Sequence, residues 1–248
     1  VHGTWGADCS WYMPKGDFFE ALEEVVSKKN STVVSYRWNG GASHDSRLKG
    51  ADGLAKLVKS YGLDTTVYVV AHSHGGSVVA LASHILAQEE GNKHHIRALF
   101  TLGTPIMSNY LPNMAVIHYV YNLFSFEDLI QTVLGLSGRE YPEHKRIANL
   151  RVFIDGKEPH HAGLHHAVIG KWIAYLHRHF TQHLQDHCIT GRISEPSIVY
   201  FFHDKAPEYE FDVNRTELID RDRQLSVLIL DSLRNSFETE VCRQPSNL

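Results

Sequence analysis

Hydrophobic positions along this chain switch repeatedly between a helical and a strand period. Over Asp17–Lys28, the residues Phe18, Phe19, Leu22, Val25 and Val26 recur at helical spacing among charged neighbours, and Ser31–Trp38 then reads as a short strand. Arg47–Tyr61 repeats the helical pattern through Leu48, Ala51, Leu54, Ala55 and Val58 and ends at Gly62, before the strand Thr66–Ala71. Ile96–Leu102, Val116–Leu123 and Leu150–Ile154 read as further buried strands, with helical patterns at Ser77–Gln88, Leu129–Leu136 and Gly163–Leu184. This alternation predicts an α/β fold: a mainly parallel sheet with helices on both faces and a ligand site at the carboxyl ends of the strands.

The rhythm holds over residues 1–184, which we take as the core, and breaks over 185–248, a C-terminal extension whose role the residues do not indicate. There, Ser197–His203 and Tyr209–Val213 read as strands of a hairpin or edge, and Arg223–Phe237 as a closing helix. In folds of this type a buried strand normally precedes a His-Gly like His2-Gly3, so further N-terminal strands are expected upstream of Val1.

Composition narrows the possibilities. The 248 residues are 43% hydrophobic and 21% charged, as in ordinary globular proteins. No apolar run approaches the ~20 residues of a membrane span, so a soluble protein is expected, with the cytoplasm slightly favoured. A net charge of −4 without a block of Lys and Arg argues against a nucleic-acid or anionic-lipid partner. Cys9, Cys188 and Cys242 are isolated and odd in number, which indicates neither a disulfide framework nor a zinc ribbon.

Candidate chemistry begins at Val67–Gly76, Val-Tyr-Val-Val-Ala-His-Ser-His-Gly-Gly, where a β-branched and aromatic run stops at a serine set among small residues and a helical stretch follows. A strand-to-helix turn this sharp pushes Ser73 out towards a substrate. Ala71 stands where the G-x-S-x-G pattern has its first glycine, but it is small enough for strand and helix to approach closely.

A serine nucleophile needs a base, a carboxylate to orient that base, and donors for the oxyanion. In this fold they follow in the order Ser, Asp or Glu, His. After Val116–Leu123 come Glu127 and Asp128; we choose Asp128, which precedes the apolar helix start Leu129-Ile130, although that position equally suits a plain helix cap. After Leu150–Ile154 comes a loop with four histidines, His160, His161, His165 and His166. His161, in the loop before the helix, is the expected base, and His165 is the alternative. Backbone N–H groups of Thr4, in the opening His2–Gly6 loop, and of His74, at the positive end of the following helix, are the expected oxyanion donors.

With these motifs in place, the chain resembles α/β-hydrolases of the serine esterase/lipase type. His2–Gly6, Tyr36–Gly40, Ala71–Gly76, Leu102–Pro105, Ser125–Gln131 and His161–His165 fall in the order seen in lipase-like bacterial hydrolases, and the likeness covers about residues 1–183. The resemblance implies an α/β-hydrolase fold and cleavage of carboxylic esters, often of lipids, without a cofactor. The partner it implies is a small-molecule or lipid ester. A catalytically silent binding protein on the same fold, and a toxin-like lipase using the same triad, are the alternatives.

His179, His183 and His187 stand at i, i+4, i+8 on one helical pattern, yet no acidic or cysteine ligand accompanies them, so a solvated stripe is expected and no metal. Trp5, Trp11, Tyr12, Trp38, Met107 and Tyr110 suit an acyl pocket or plain core equally well.

Overall fold

In the computed structural model, the residues described are 1–27, 31–89, 91–133, 138–177, 197–201 and 203. The elements run α1 (Asp17–Ser27), α2 (His44–Ser60), β1 (Val67–His72), α3 (Gly75–Gln88), β2 (Ile96–Leu102), β3 (Ile117–Phe124), α4 (Leu129–Val133), β4 (Ile147–Ile154), α5 (helical over 167–177) and β5 (Ser197–Phe201). Single 3₁₀ turns lie at Ser108–Tyr110 and His161–His165.

The five strands form one sheet in the order β1-β2-β3-β4-β5, with every neighbouring pair parallel. Parallel strands need crossovers and so bury both faces. On one face, α2 and α3 bring Leu54, Ala55, Val58, Val78, Val79, Ala82 and Leu86 against Val69, Leu99 and Val120 of the sheet. On the other, His177 of α5 meets Tyr68, Tyr119 and Tyr121, and Trp172 packs edge-on against Phe201. α1 crosses α5 closely: a Cβ on Gly170 would stand 2.8 Å from the Phe18 carbonyl.

Two expectations change. Ser31–Trp38 carries no strand, and Val34 is 58% exposed. The Trp38 N–H donates to His2 Nε2 at 3.2 Å and its indole N–H to the His2 carbonyl at 2.8 Å, so Trp38 is anchored to a loop instead of a ladder. Val1 holds the outer flank of β1, donating to the Val70 carbonyl and accepting from the His72 N–H. Secondly, Ser197–Phe201 lies within 185–248, the stretch set apart as an extension, yet it pairs in parallel with β4 as the edge strand of the core sheet. The first compact unit accordingly runs from Val1 to Asp204. Tyr209–Val213, Arg223–Phe237 and the histidines 179, 183 and 187 lie outside the described residues.

Among the described residues, no helix is long and apolar enough to cross a membrane, and no group of His, Cys, Asp and Glu is arranged to hold a metal ion.

Candidate active site

β1 ends at His72, and the chain turns into α3 through Ser73 and His74. Ser73 has φ = 53°, a left-handed backbone that a side chain with a Cβ rarely adopts. The surroundings impose it. The Ser73 N–H extends the ladder to the Leu102 carbonyl at 2.9 Å, while its own carbonyl accepts from the Gly76 N–H and from Thr104 Oγ1. Strained backbone of this kind costs about 1–3 kcal/mol and persists only where neighbours over-determine it.

The turn lies beneath the His2–Trp5 loop. A Cβ on Gly3 would stand 2.7 Å from Ser73 Cβ, and one on Gly75 would stand 2.6 Å from the His2 carbonyl, so only glycine allows loop, nucleophile and helix start to meet. Ser73, expected to project towards a substrate, is instead only 7% exposed, because this loop packs over it. His2 is fully buried and fixes the loop: Nδ1–H donates to the Gly3 carbonyl at 2.7 Å while Nε2 accepts from Trp38. Burial holds this imidazole below its ordinary pKa, which suits the neutral form those bonds require.

Asp128 has no exposed surface and does two things with one carboxylate. Oδ1 accepts from the N–H groups of Ile130 (3.0 Å) and Gln131 (3.2 Å), capping α4. Oδ2 accepts from His161 Nδ1–H at 2.7 Å. Helix cap and acid partner, alternatives in the sequence, coexist. Glu127, its neighbour, is exposed. The pair meets over Gly103, at φ = 58°, where a Cβ would stand 2.7 Å from Asp128 Oδ2 and 3.2 Å from His161 Nδ1.

His161 and His165 stand at the two ends of one 3₁₀ turn, and the turn separates them. His165 stacks on Trp11, with ring centroids 4.7 Å apart and planes 10° from parallel. The ring next to His161 is that of His72, at 4.5 Å. Among the described residues, no hydrogen bond joins Ser73 Oγ to His161. In ligand-free sites such contacts are often long and tighten when substrate binds.

Thr4 Oγ1 and His74 Nδ1 share a hydrogen bond of 2.8 Å, which ties the two expected oxyanion-donor residues together. Among the described residues, neither backbone N–H donates to a protein carbonyl. The nearby histidines are kept neutral. Burial, then His161 and His165, drives His72 well below its ordinary value. Burial, then Arg47 and His161, lowers His74 to about 4. His165 falls to about 4, chiefly through burial.

Several contributors escaped the sequence. His72 Nε2–H donates to the His161 carbonyl at 3.1 Å, tying the residue before the serine to the backbone of the histidine. Gln131 Nε2 donates to the Thr104 carbonyl at 2.9 Å. Glu158 binds Arg151 on one side and, through Oε2, the Phe126 N–H (2.6 Å) and Ser125 hydroxyl (3.2 Å) on the other, pinning the loop before Asp128. Thr104, His72, Ser125 and Gln131 lie in stretches that carry the resemblance, but the sequence singled out none of them. Of the aromatic candidates, Tyr12, Trp38 and Tyr110 are buried core, whereas Trp5 is 83% exposed beside Thr4.

Part of the chain is similar to a known family. Residues 17–135 match the family described as Lipase (class 3), a span that includes Ser73 and Asp128 and stops before His161. Among curated proteins, none matches the chain. A solved structure from Xanthomonas campestris pv. campestris, described within the α/β superfamily of hydrolases, is 17% identical, covering 75% of this chain and 95% of its own, with a TM-score of 0.40. A score this low carries no argument. Over residues 17–135 the chain is thus similar to the Lipase (class 3) family, and its parallel sheet and the turn at Ser73 are arranged as in an α/β-hydrolase fold.

Proposed function

We propose that the protein is a serine hydrolase of carboxylic esters, acting on acyl or lipid-like esters through a Ser73–His161–Asp128 triad and requiring no cofactor. The observation that carries this reading is the 2.7 Å bond from His161 to a fully buried carboxylate, with the His161 ring 4.5 Å from that of His72, the residue before a serine in left-handed backbone.

With Nδ1–H committed to Asp128, Nε2 is the ring nitrogen with a lone pair to offer. It takes the proton as Ser73 Oγ attacks the ester carbonyl, and the Asp128 carboxylate stabilises the imidazolium that forms. The Thr4 and His74 N–H groups, braced by their side-chain bond, receive the oxyanion, a kind of interaction worth about 3–4 kcal/mol per donor in related chemistry. The imidazolium then protonates the leaving alcohol, and the acyl group stays on Ser73. Water, deprotonated by His161, attacks that acyl-enzyme, and Ser73 recovers its proton as the acid departs. His72 and Gln131 hold the histidine and the acid in place without touching the reacting atoms.

A fluorophosphonate probe tests the proposal. The intact protein is expected to be labelled at Ser73, and Ser73→Ala to escape. An intact protein that resists the probe would be a silent scaffold.

A further inference from the structure

The carboxyl ends of β1, β2 and β3 carry the candidate site, and their amino ends carry a second concavity. A cavity of about 360 Å³ opens there, between the turn after α2 and the starts of the three strands. Its walls bring together Lys93, His94, His95, Arg97 and His118, and no Asp or Glu is among the described residues that line it. Six strand residues at roughly 3.3 Å each put about 20 Å of sheet between this cavity and Ser73, so it is no part of the candidate active site.

Two of these side chains are held by the sheet. Arg97 and His118 are each the second residue of their strand, and β2 and β3 pair Ile96 with Ile117, which sets the two side by side. The Arg97 guanidinium stands 5.5 Å over the Tyr119 ring, and among the described residues no carboxylate pairs with Arg97 or Lys93. The His118 imidazole is held below its ordinary pKa, chiefly by burial and then by His95, Arg97 and Arg146. Like charges gathered in a concave surface repel one another and concentrate anions from solution.

We propose that this cavity binds the phosphate group of a small amphiphile. A guanidinium fork from β2, an imidazole from β3, and an ammonium with two further imidazoles from the segment just before β2 match the several oxygens and the double charge of a phosphate monoester better than the two oxygens of a carboxylate. Thr65 and Thr66 add hydroxyls to the lining. Leu63 and Tyr68, both exposed and both lining the cavity, offer an apolar wall for the carbon portion of the ligand. A phosphorylated metabolite and a lipid headgroup share this chemistry.

Calorimetric titration of the full chain in a Ser73→Ala background, which keeps esters intact, tests the site. The probes are inorganic phosphate, dihexanoyl phosphatidic acid below its micellar concentration, and dihexanoyl phosphatidylcholine as control. Phosphate and phosphatidic acid are expected to bind and phosphatidylcholine not to. Lys93→Ala and Arg97→Gln should each weaken binding about tenfold. Arg37→Ala, which removes an exposed cation paired with Asp8, should leave it unchanged. Tighter binding of phosphatidic acid identifies a lipid headgroup, and equal or weaker binding a soluble phosphate. Ester hydrolysis retained by the same substitutions in the Ser73-containing chain confirms that they fold. Absence of binding at millimolar ligand, equal binding of phosphatidylcholine, or binding that survives both substitutions would overturn the proposal.

Discussion

Asp128 Oδ2 lies 2.7 Å from His161 Nδ1, while the other oxygen of the same carboxylate caps α4. Removing the charge and removing the side chain therefore have separable consequences. In Asp128→Asn the amide oxygen can still cap the helix, but an NH₂ facing Nδ1 forces the proton onto Nε2, where it blocks the base. We expect kcat to fall by roughly 10³–10⁴-fold, with little change in Tm. Asp128→Ala should lose activity and also about 1 kcal/mol of helix capping. A p-nitrophenyl ester assay beside a thermal melt checks both, and an active Asn variant would remove Asp128 from the triad.

His161 and His165 are distinguished by the same kind of substitution. His161→Ala should lower kcat by about 10²–10⁴-fold, the range of a lost general base. His165→Ala removes a ring stacked on Trp11 and should act on stability more than on turnover. Comparable kcat losses in the two variants would contradict the assignment.

The left-handed conformation of Ser73 predicts a trade of function against stability. Ser73→Gly and Ser73→Ala should both be inactive, but glycine relieves a backbone penalty of about 1 kcal/mol that alanine retains. For a chain of this size that corresponds to a Tm roughly 2–4 °C higher for the glycine variant. Equal melting temperatures would mean that the surroundings impose no strain at this turn.

These outcomes bear on how much the sequence alone could disclose. The strands β1 to β4 were legible as apolar runs because a parallel sheet buries both faces, leaving little polar residue to interrupt them. Ser31–Trp38 has the same look, but a run becomes a strand only beside a partner, and Trp38 spends its donors on His2. For Ser197–Phe201 the run was visible but its parallel pairing with β4 was not, since local pattern carries no information about a distant neighbour. In the site, the chain order of Ser73, Asp128 and His161 was readable. The separation of His161 from His165 was not, because it depends on the 3₁₀ turn that points one ring at Asp128 and lays the other on Trp11. His72 stayed hidden for a similar reason: its role is a bond to a carbonyl 89 residues away.

Burial of histidines sets the last expectation, an acid-side loss of stability. His74, His165 and His177 are lowered to about 4 and His72 lies well below its ordinary value, each mainly because burial disfavours the charged ring. In the unfolded chain they return to the ordinary imidazole value of 6.5. Between about 4 and about 6.5 the unfolded state therefore binds more protons than the folded one, so stability rises with pH across this window. The contribution from keeping these rings neutral is complete above the unfolded value and is lost as pH falls towards the folded one. Thermal melts should show a plateau above neutrality and a falling Tm from pH 6.5 to 4. His165→Gln removes one titrating group and should make that fall shallower. A Tm independent of pH over this range, or a slope unaffected by His165→Gln, would show that these rings gain their protons without cost to the fold.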